Sequence, residues 1–446
     1  MDNLAAIVRE EASATKKLLE QIELEQASSN YYGQLLEKLK AMCEEVQKMT
    51  DEMSSYVTTP PNPNREEILK RWLVFGSYVI RQINSYCDNF ENADLLAVPS
   101  ATMQLLYKLL KKTTKSKAFL VKGSTEFIYA YRPIGHHLNE LGSHLAESIP
   151  KLEDSFAVLK FPLAYSGNVM ANCNLVHELG HLIVDNRELT KELDKILSSE
   201  KRIQIAEIIE RHSRPEAGVQ LSFQSARDRD EINRVIENWI HETLADFIAI
   251  QLIGPSALFA FLNHIEPMDS HKRDDEEHPC NSTRIKMFIE ILHRMKWDQV
   301  IIDENPELWK RIIDISNEGR TSQKIFDAAA ECLPLIKEEA FTVARKVCRN
   351  CTYRVETFQS TKDIIYGLFE CGIPPAEQMR GEGKDSYFEG IDVVSILNVA
   401  WFFHGKGYPT WSQKFERFDA TEKTEFLNRL LAKAMEITFV KEAASE

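Results

Sequence analysis

A short apolar segment near the middle of the chain carries two histidines and a glutamate. It reads NLVHELGHLIVD, from Asn174 to Asp185, and places His177 and His181 four residues apart. Residues four apart on a helix leave the same face, so both imidazoles point in one direction. Because the flanking residues are apolar, we expect a buried helix beneath a cleft. The fold must therefore bury ionisable groups at this point.

The spacing is the HExxH pattern of zinc hydrolases. Two imidazole nitrogens one helical turn apart can share one zinc ion at about 2.0–2.1 Å each. Glu178 follows His177, so it lies beside the metal and can take a proton from water there. A catalytic zinc also needs a third protein ligand. The extended pattern HExxHxxGxxH would supply one, but it is excluded because its glycine and third histidine are replaced by Val184 and Arg187.

A second predicted helix supplies a carboxylate instead. The segment NWIHETLADFIA, Asn238 to Ala249, carries Glu242 and Asp246 four residues apart in a mostly apolar setting. Buried carboxylates are costly unless each has a partner. A zinc ion for Glu242 and a histidine N–H for Asp246 would satisfy both, and Asp246 would then fix the tautomer of His177 or His181. The alternative is that one carboxylate faces solvent.

Two further residues near these motifs have less specific interpretations. His241 adjoins Glu242 but leaves the helix about 100° away, so we interpret it as an outer partner of the site or a surface residue. Asp185 lies four residues after His181, and we expect it to end the helix rather than to bind metal.

In this order the motifs resemble those of the gluzincin metallopeptidases, and the Glu-x-x-Ala-Asp form is similar to that of the HtpX, CaaX-protease and BepA-type family. A third segment, EEHPCNSTRIKMF, has His278 before Pro279 and Arg284 six positions after the histidine. It resembles the His-Pro…Arg segment of that family. The resemblance covers about residues 155–290. It implies that His278 approaches the metal as a removable fourth ligand or binds the transition state, with Arg284 as a supporting donor.

The motifs together predict an enzyme, a zinc metallopeptidase that hydrolyses peptide bonds in a protein or peptide substrate. Two alternatives stay open. One is a regulatory or defence-related protease with a single dedicated protein target, and the other is a zincin-fold protein that binds without turnover. The site residues of the prediction are the Zn²⁺ ligands His177, His181 and Glu242, the catalytic residues Glu178 (general base), His278 and Arg284, and Asp246 as an outer partner.

The predicted fold class is α+β and predominantly helical, with a zincin-like core of a small sheet, the HExxH helix and the glutamate helix. We expect a helical N-terminal region over 1–115, the metallopeptidase core over 116–300 and a helical C-terminal region over 301–446. Within the last region, residues 372–390 predict a loop.

The small sheet is predicted from two segments that precede the HExxH helix. Lys117 to Pro133 predicts two strands around a Lys-Gly-Ser turn, and Ser155 to Asn168 predicts a third. Pro162 lies in this third strand. Because proline cannot donate a ladder hydrogen bond, we expect an edge position, where an extended substrate backbone could pair.

A heptad seam covers residues 32–53, where apolar side chains alternate spacings of three and four. We favour one helix of a bundle over an intermolecular coiled coil, and residues 1–56 remain a candidate surface for self-association or for a partner. The segment TTPPNPN, Thr58 to Asn64, predicts a break after it.

Charge and composition exclude several classes of function. The formal net charge is −14 and the pI is about 5.5, which argues against nucleic-acid binding. One segment, Thr243 to Leu262, approaches the length of a membrane span, but Gly254-Pro255 interrupts it, so two buried helices are predicted. The N-terminus has no signal-peptide pattern, and we expect a cytoplasmic protein.

The eight cysteines are scattered, and we expect reduced thiols. Cys348 and Cys351 form a single CxxC, CRNC. A zinc ribbon would need a second such pair, which the sequence lacks, so these are interpreted as ordinary surface or core cysteines.

Overall fold

The computed structural model describes residues 2–25, 33–56, 63–91, 99–114, 119–154, 156–214, 221–266, 274–319, 323–380, 387–408, 411 and 418–445. Over these residues the chain is predominantly helical with a small sheet, which confirms the α+β, mainly helical class.

The chain divides into two compact units. Unit 1 comprises Met1–Ala97 and Ser116–Ala164, and unit 2 comprises Val98–Lys115 and Tyr165–Glu446. The N-terminal helices share one hydrophobic core with the sheet in unit 1. In unit 2 the long helix Lys324–Cys348 packs directly on the helix Leu221–Ile253, which carries Glu242.

The elements of unit 1 are, in chain order, α1 (Asp2–Glu25), α2 (Gly33–Tyr56), α3 (Pro63–Glu91), β1 (Phe119–Ser124), β2 (Ala130–Pro133), α5 (Gly135–Leu145) and β3 (Ala157–Pro162). Those of unit 2 are α4 (Ser100–Thr113), α6 (Leu175–Asn186), α7 (Leu189–Ile196), α8 (Ser199–Ser213), α9 (Leu221–Ile253), α10 (Pro255–Ile265), α11 (Asn281–Arg294), α12 (Trp297–Glu304), α13 (Pro306–Ser316), α14 (Lys324–Cys348), α15 (Val355–Glu370), β4 (Glu377–Arg380), β5 (Tyr387–Gly390), α16 (Val393–Gly405) and α17 (Ala420–Ser445).

The heptad seam of α2 is buried inside unit 1, as predicted for one helix of a bundle. Four of its buried residues join the hydrophobic core formed with α1, α3 and the sheet, and Met53 packs with Ala5 and Leu73 in a smaller cluster. Ion pairs join Arg9 to Asp51 and Lys16 to Glu44, so α1 and α2 run antiparallel. The first seam residue, Tyr32, and most of the predicted break lie outside the described residues, and self-association stays a prediction. The buried seam residues are Leu35, Leu39, Met42, Val46 and Met53.

The three-stranded sheet corrects two predictions about its topology. β3 is the central strand, parallel to β1 on one side and antiparallel to β2 on the other. The predicted edge position was therefore wrong. Pro162 is tolerated because it is the last residue of β3, beyond Lys160, where pairing with β2 ends. The predicted turn around Lys-Gly-Ser was also wrong, since these residues belong to β1 and β3 separates β1 from β2.

Two more predictions concern unit 2. The predicted loop over 372–390 was wrong in part, because β4 and β5 form an antiparallel pair within it. The prediction of two helices over Thr243–Leu262 is confirmed. α9 ends at Ile253, Gly254 has a φ of 62°, a conformation that favours glycine, and Pro255 begins α10. None of the described helices has both the length and the apolar composition needed to cross a membrane.

Candidate metal centre

Helices α6 and α9 bring two imidazoles and one carboxylate to a single point. His177 Nε2 and His181 Nε2 are 3.0 Å apart. Glu242 Oε2 lies 3.3 Å from His177 Nε2, and Glu242 Oε1 lies 3.1 Å from His181 Nε2. One ligand atom from each residue lies within 4.8 Å of the other two, so this group could hold a metal ion.

The approach of the two helices depends on a residue inside the HExxH motif. A Cβ at Gly180 would lie 2.8 Å from Ala245 O and 2.9 Å from Ala245 Cα, closer than real Cβ contacts allow. Ala245 is itself one of the smallest side chains and is buried. Small residues on both helices therefore set the distance between the histidines and Glu242.

The chemistry of the converging atoms fits a cation. Both Nε2 atoms face the Glu242 carboxylate, and neutral imidazole nitrogens and carboxylate oxygens are electron-pair donors. Glu242 is 7% exposed, and its Oε2 makes no hydrogen bond of good geometry among the residues that the structure describes, although His177 Nε2 and Arg284 Nη2 lie 3.3 and 3.5 Å away. An unsatisfied buried carboxylate oxygen is costly. A metal ion shared by the three side chains would satisfy it.

The far side of His177 is held by a buried ion pair. Asp246 Oδ1 lies 2.8 Å from His177 Nδ1, and Asp246 is 1% exposed. Arg284 of α11 donates to both oxygens of Asp246, with Nε–Oδ2 of 2.9 Å and Nη2–Oδ1 of 2.7 Å. The guanidinium also lies 4.5 Å from the Phe261 ring centre. We call Asp246 and Arg284 the inner pair.

The far side of His181 has a different partner. His181 Nδ1 lies 2.8 Å from His241 Nδ1, and the two rings stack with centres 4.9 Å apart. His241 Nε2 lies 2.8 Å from Asp185 Oδ1. The His241 and Asp185 side chains are 26% and 38% exposed. We call His241 and Asp185 the outer pair.

The electrostatics of the three ligands follow from burial and from each other. Burial lowers the pKa of His177, but the Asp246 and Glu242 carboxylates outweigh it and raise the pKa to about 10. For His181 burial prevails, and its pKa falls to about 4. Burial raises the pKa of Glu242, but the adjacent His181 and His177 outweigh burial and hold the pKa well below its ordinary value. Before a metal binds, the site therefore holds a proton on the His177 side.

Glu178 follows the ligand His177 in α6 and lies close enough to His177 and Glu242 for their charges to act on it. It is 5% exposed, and burial, together with Glu242, raises its pKa to about 7, against the opposing effects of His177, His278 and Arg284. A carboxylate with a pKa near neutrality is a better proton acceptor than one in water.

His278 and Arg284 were both predicted to face the reacting groups, and the structure separates them. His278 Nε2 lies 3.6 Å from Glu242 Oε1 and its side chain is 39% exposed. Asp275 accepts from the His278 backbone N–H at 2.6 Å and lies 3.2 Å from its Nδ1. Arg284 is 6% exposed and engaged by Asp246, with Nη2 3.5 Å from Glu242 Oε2. His278 is therefore the more accessible of the two, and Arg284 is buried against Asp246.

Sequence reasoning left the role of His241 open and did not connect it to Asp185. The helical pattern does place His241 next to Glu242 and Asp185 one turn after His181. The connection itself requires α6 and α9 to pack at one particular rotation, which no local pattern contains.

Comparisons of this chain with protein-family models, with curated proteins and with solved structures find no match.

Proposed function

We propose that this protein is a zinc-dependent endopeptidase of the gluzincin type, with His177, His181 and Glu242 as the metal ligands. The observation that carries the proposal is the convergence of these three side chains next to Glu178 in the sequence of α6, with His181 and Glu242 buried and His177 half-buried. Two ligands at about 2.0–2.1 Å from a tetrahedral zinc lie about 3.3 Å apart. The two histidine nitrogens are 3.0 Å apart, and each has one Glu242 oxygen at a similar distance, Oε1 at 3.1 Å from His181 Nε2 and Oε2 at 3.3 Å from His177 Nε2.

When bound, zinc lowers the pKa of water and polarises the carbonyl of the peptide bond to be cleaved. Glu178 accepts the proton of the attacking water and then donates it to the leaving amine. Its buried position supports this role, because a carboxylate shielded from solvent holds a proton long enough to pass it on. The position next to a histidine ligand, rather than among the ligand atoms, leaves Glu178 available for that transfer.

His278 is the residue best placed to touch the substrate. It is the exposed imidazole next to the ligand Glu242, and Asp275 orients it through its backbone and its ring. We assign it to stabilisation of the oxyanion that forms on the carbonyl. Arg284 instead acts as a positioning residue, because its guanidinium is buried and engaged by Asp246.

The test combines metal content with hydrolysis. Glu178→Gln should lower peptide hydrolysis by about 10²–10⁴-fold and leave about one zinc per chain. Glu242→Ala should lose both zinc and activity. Glu237→Gln, an exposed acidic residue on the same helix, is the matched control and should change neither. Undiminished cleavage by purified Glu178→Gln would overturn the assignment.

The same experiment addresses the two alternatives that the sequence leaves open. A protease with one dedicated target would bind zinc and leave casein intact, yet cut one protein in a proteome-wide comparison of wild type with Glu178→Gln. A binding protein without turnover would hold zinc and give identical results for both forms in both assays.

A further inference from the structure

The CRNC segment that the metal centre does not use lies at the end of α14. Cys348 is the last residue of that helix, and the backbone N–H of Cys351 donates to Cys348 O at 2.8 Å. A hydrogen-bonded turn of this kind holds its end Cα atoms within about 7 Å. Disulfides need Cα atoms about 4.4–6.8 Å apart. The two cysteines are therefore close enough to be joined without unfolding the turn.

The two thiols have unequal environments. Cys348 is fully buried and Cys351 is half-buried. A hydrogen bond between the thiols raises the pKa of Cys348 and lowers the pKa of Cys351, which the Lys112 ammonium lowers further against the effect of burial. Thiolates, not thiols, attack disulfides. Cys351 is thus the accessible nucleophile, and Cys348 is placed to react second.

Cys351 opens into a cavity of about 540 Å³ whose charged residues are mostly basic. Pockets of this size take small-molecule ligands. One acidic side chain, Asp392, also lines it, and its carboxylate accepts from Ser395 N at the start of α16. In a chain with a net charge of −14, a locally basic cavity favours anionic ligands. The basic lining residues are Lys108, Lys112, Arg349 and Arg354.

Lys108 is partly compensated, because its ammonium lies 2.6 Å from Glu442 Oε1. Lys112, Arg349 and Arg354 are exposed at the cavity. The charge that a ligand meets next to Cys351 is therefore positive, and a ligand that carries several carboxylates would be attracted to the thiol.

We propose that Cys348 and Cys351 form a redox-active dithiol that exchanges with small anionic disulfides of the glutathione disulfide type. The Cys351 thiolate attacks one sulfur of the ligand, the ligand S–S bond breaks, a Cys351–glutathione disulfide forms, and one glutathione thiolate leaves and takes a proton from water. Cys348 then loses its proton to water and attacks the Cys351 sulfur, which releases the second glutathione as a thiolate that also takes a proton from water. Two cysteine thiols are oxidised to one disulfide, and one glutathione disulfide is reduced to two thiols.

The first experiment identifies the reacting cysteine. Reduced Cys348→Ser is treated with glutathione disulfide, and peptides are mapped by mass spectrometry. We expect one glutathionyl group on Cys351, formed before any on Cys371, the exposed lone cysteine that serves as an internal reference. Wild type should instead end as a Cys348–Cys351 disulfide. Cys351→Ser should show neither product.

Faster modification of Cys371 than of Cys351, or the absence of an intramolecular disulfide in wild type, would overturn the proposal. The wild-type measurement involves no substitution, so it decides the question even where Cys348→Ser does not fold.

The second experiment tests the charge of the cavity. Wild type should react faster with glutathione disulfide, which is anionic, than with cystamine, a cationic disulfide, after each rate is divided by the rate of Cys371 with the same reagent. Replacing Lys112 or Arg349 by Gln should lower the glutathione rate by about twofold to fivefold per charge and raise the cystamine rate. Lys346→Gln removes an exposed charge of α14 that pairs with Glu192 and should change neither. Equal normalised rates for the two reagents would contradict the proposal.

Discussion

The two histidines of α6 leave the same helix face, but the pairs behind them differ in burial. His177 is backed by the inner pair, which is almost fully shielded from solvent, whereas His181 is backed by the outer pair, which is about one-quarter to two-fifths exposed. Charges that lose their solvent depend on their protein partners, while exposed charges are screened by water. The two sets of partners lie at the same distance from their histidines, 2.8 Å. They should nevertheless contribute very unequally to stability and to metal binding.

The largest expected effect is the loss of the inner guanidinium. Arg284→Met would leave two buried carboxylates, Asp246 and Glu242, to share the single positive charge of His177, and we expect the free energy of unfolding of the metal-free protein to fall by about 3–5 kcal/mol. Urea unfolding measures this. Arg234→Met, which breaks an exposed pair with Glu276, is the control and should cost less than about 1 kcal/mol. Similar losses of unfolding free energy for Arg284→Met and Arg234→Met would show that burial does not determine the contribution of these ion pairs.

The close approach of α6 and α9, which brings the ligands and both pairs together, can be tested by substituting Gly180. Gly180→Ala places a Cβ against Ala245 and must separate α6 from α9, so we expect a loss of about 1–3 kcal/mol of stability and weaker metal binding. Gly367→Ala in α15, where a Cβ meets nothing within 4 Å, should stabilise slightly, because alanine is the better helix former. If Gly180→Ala changed neither stability nor metal binding, α6 and α9 could accommodate a Cβ at this position.

Metal affinity compares the inner and outer pairs directly. Asp246→Asn removes the buried partner of His177, and we expect zinc to bind about 10–100-fold more weakly. Asp185→Asn removes an exposed partner that water can replace, and we expect a change of less than about threefold. Competition with a chromophoric chelator gives both values. If Asp185→Asn weakened zinc binding as much as Asp246→Asn, burial would not decide how much each partner contributes to metal affinity.

The pH dependence of metal binding sharpens the same contrast. In the metal-free protein the pKa of His177 is raised to about 10 and that of His181 is lowered to about 4, so at about pH 8 only His177 carries a proton. Zinc binding should release about one proton, and affinity should rise about tenfold per pH unit below the pKa of His177. Calorimetry in buffers of different ionisation enthalpy counts the protons. If zinc binding released no proton, both imidazoles would be neutral in the metal-free protein.

The sign of the effect on stability follows from the same shift. Because the folded pKa of His177 exceeds its unfolded value of 6.5, its protonation stabilises the metal-free protein fully below about pH 6.5. This contribution is lost as the pH rises through about 10.

Much of the site was accessible from the sequence because its residues lie in two helical segments. A spacing of four places His177 with His181, and Glu242 with Asp246, whatever the rest of the chain does. The third ligand could be proposed because a buried carboxylate needs a partner. The outer pair could not be proposed, since His241 and Asp185 lie 56 residues apart and neither position is unusual by itself.

Features of the fold were likewise predictable where they depend on neighbouring residues and unpredictable where they depend on distant contacts. The heptad seam and the Gly254-Pro255 break were readable, since each depends on neighbouring residues. The order of the strands was not, because β3 pairs with β1 and β2 through contacts distant in sequence, and Pro162 was compatible with a central strand once it came last.

By itself the sequence determined which side chains share a helix face, and hence a candidate ligand set, because the helical repeat is a local property of the backbone. Only the tertiary structure decided which carboxylate serves which histidine, how deeply each partner is buried, and that Arg284 is buried in an ion pair with Asp246. Those outcomes depend on how closely helices approach, and here small residues at 180 and 245 set that distance.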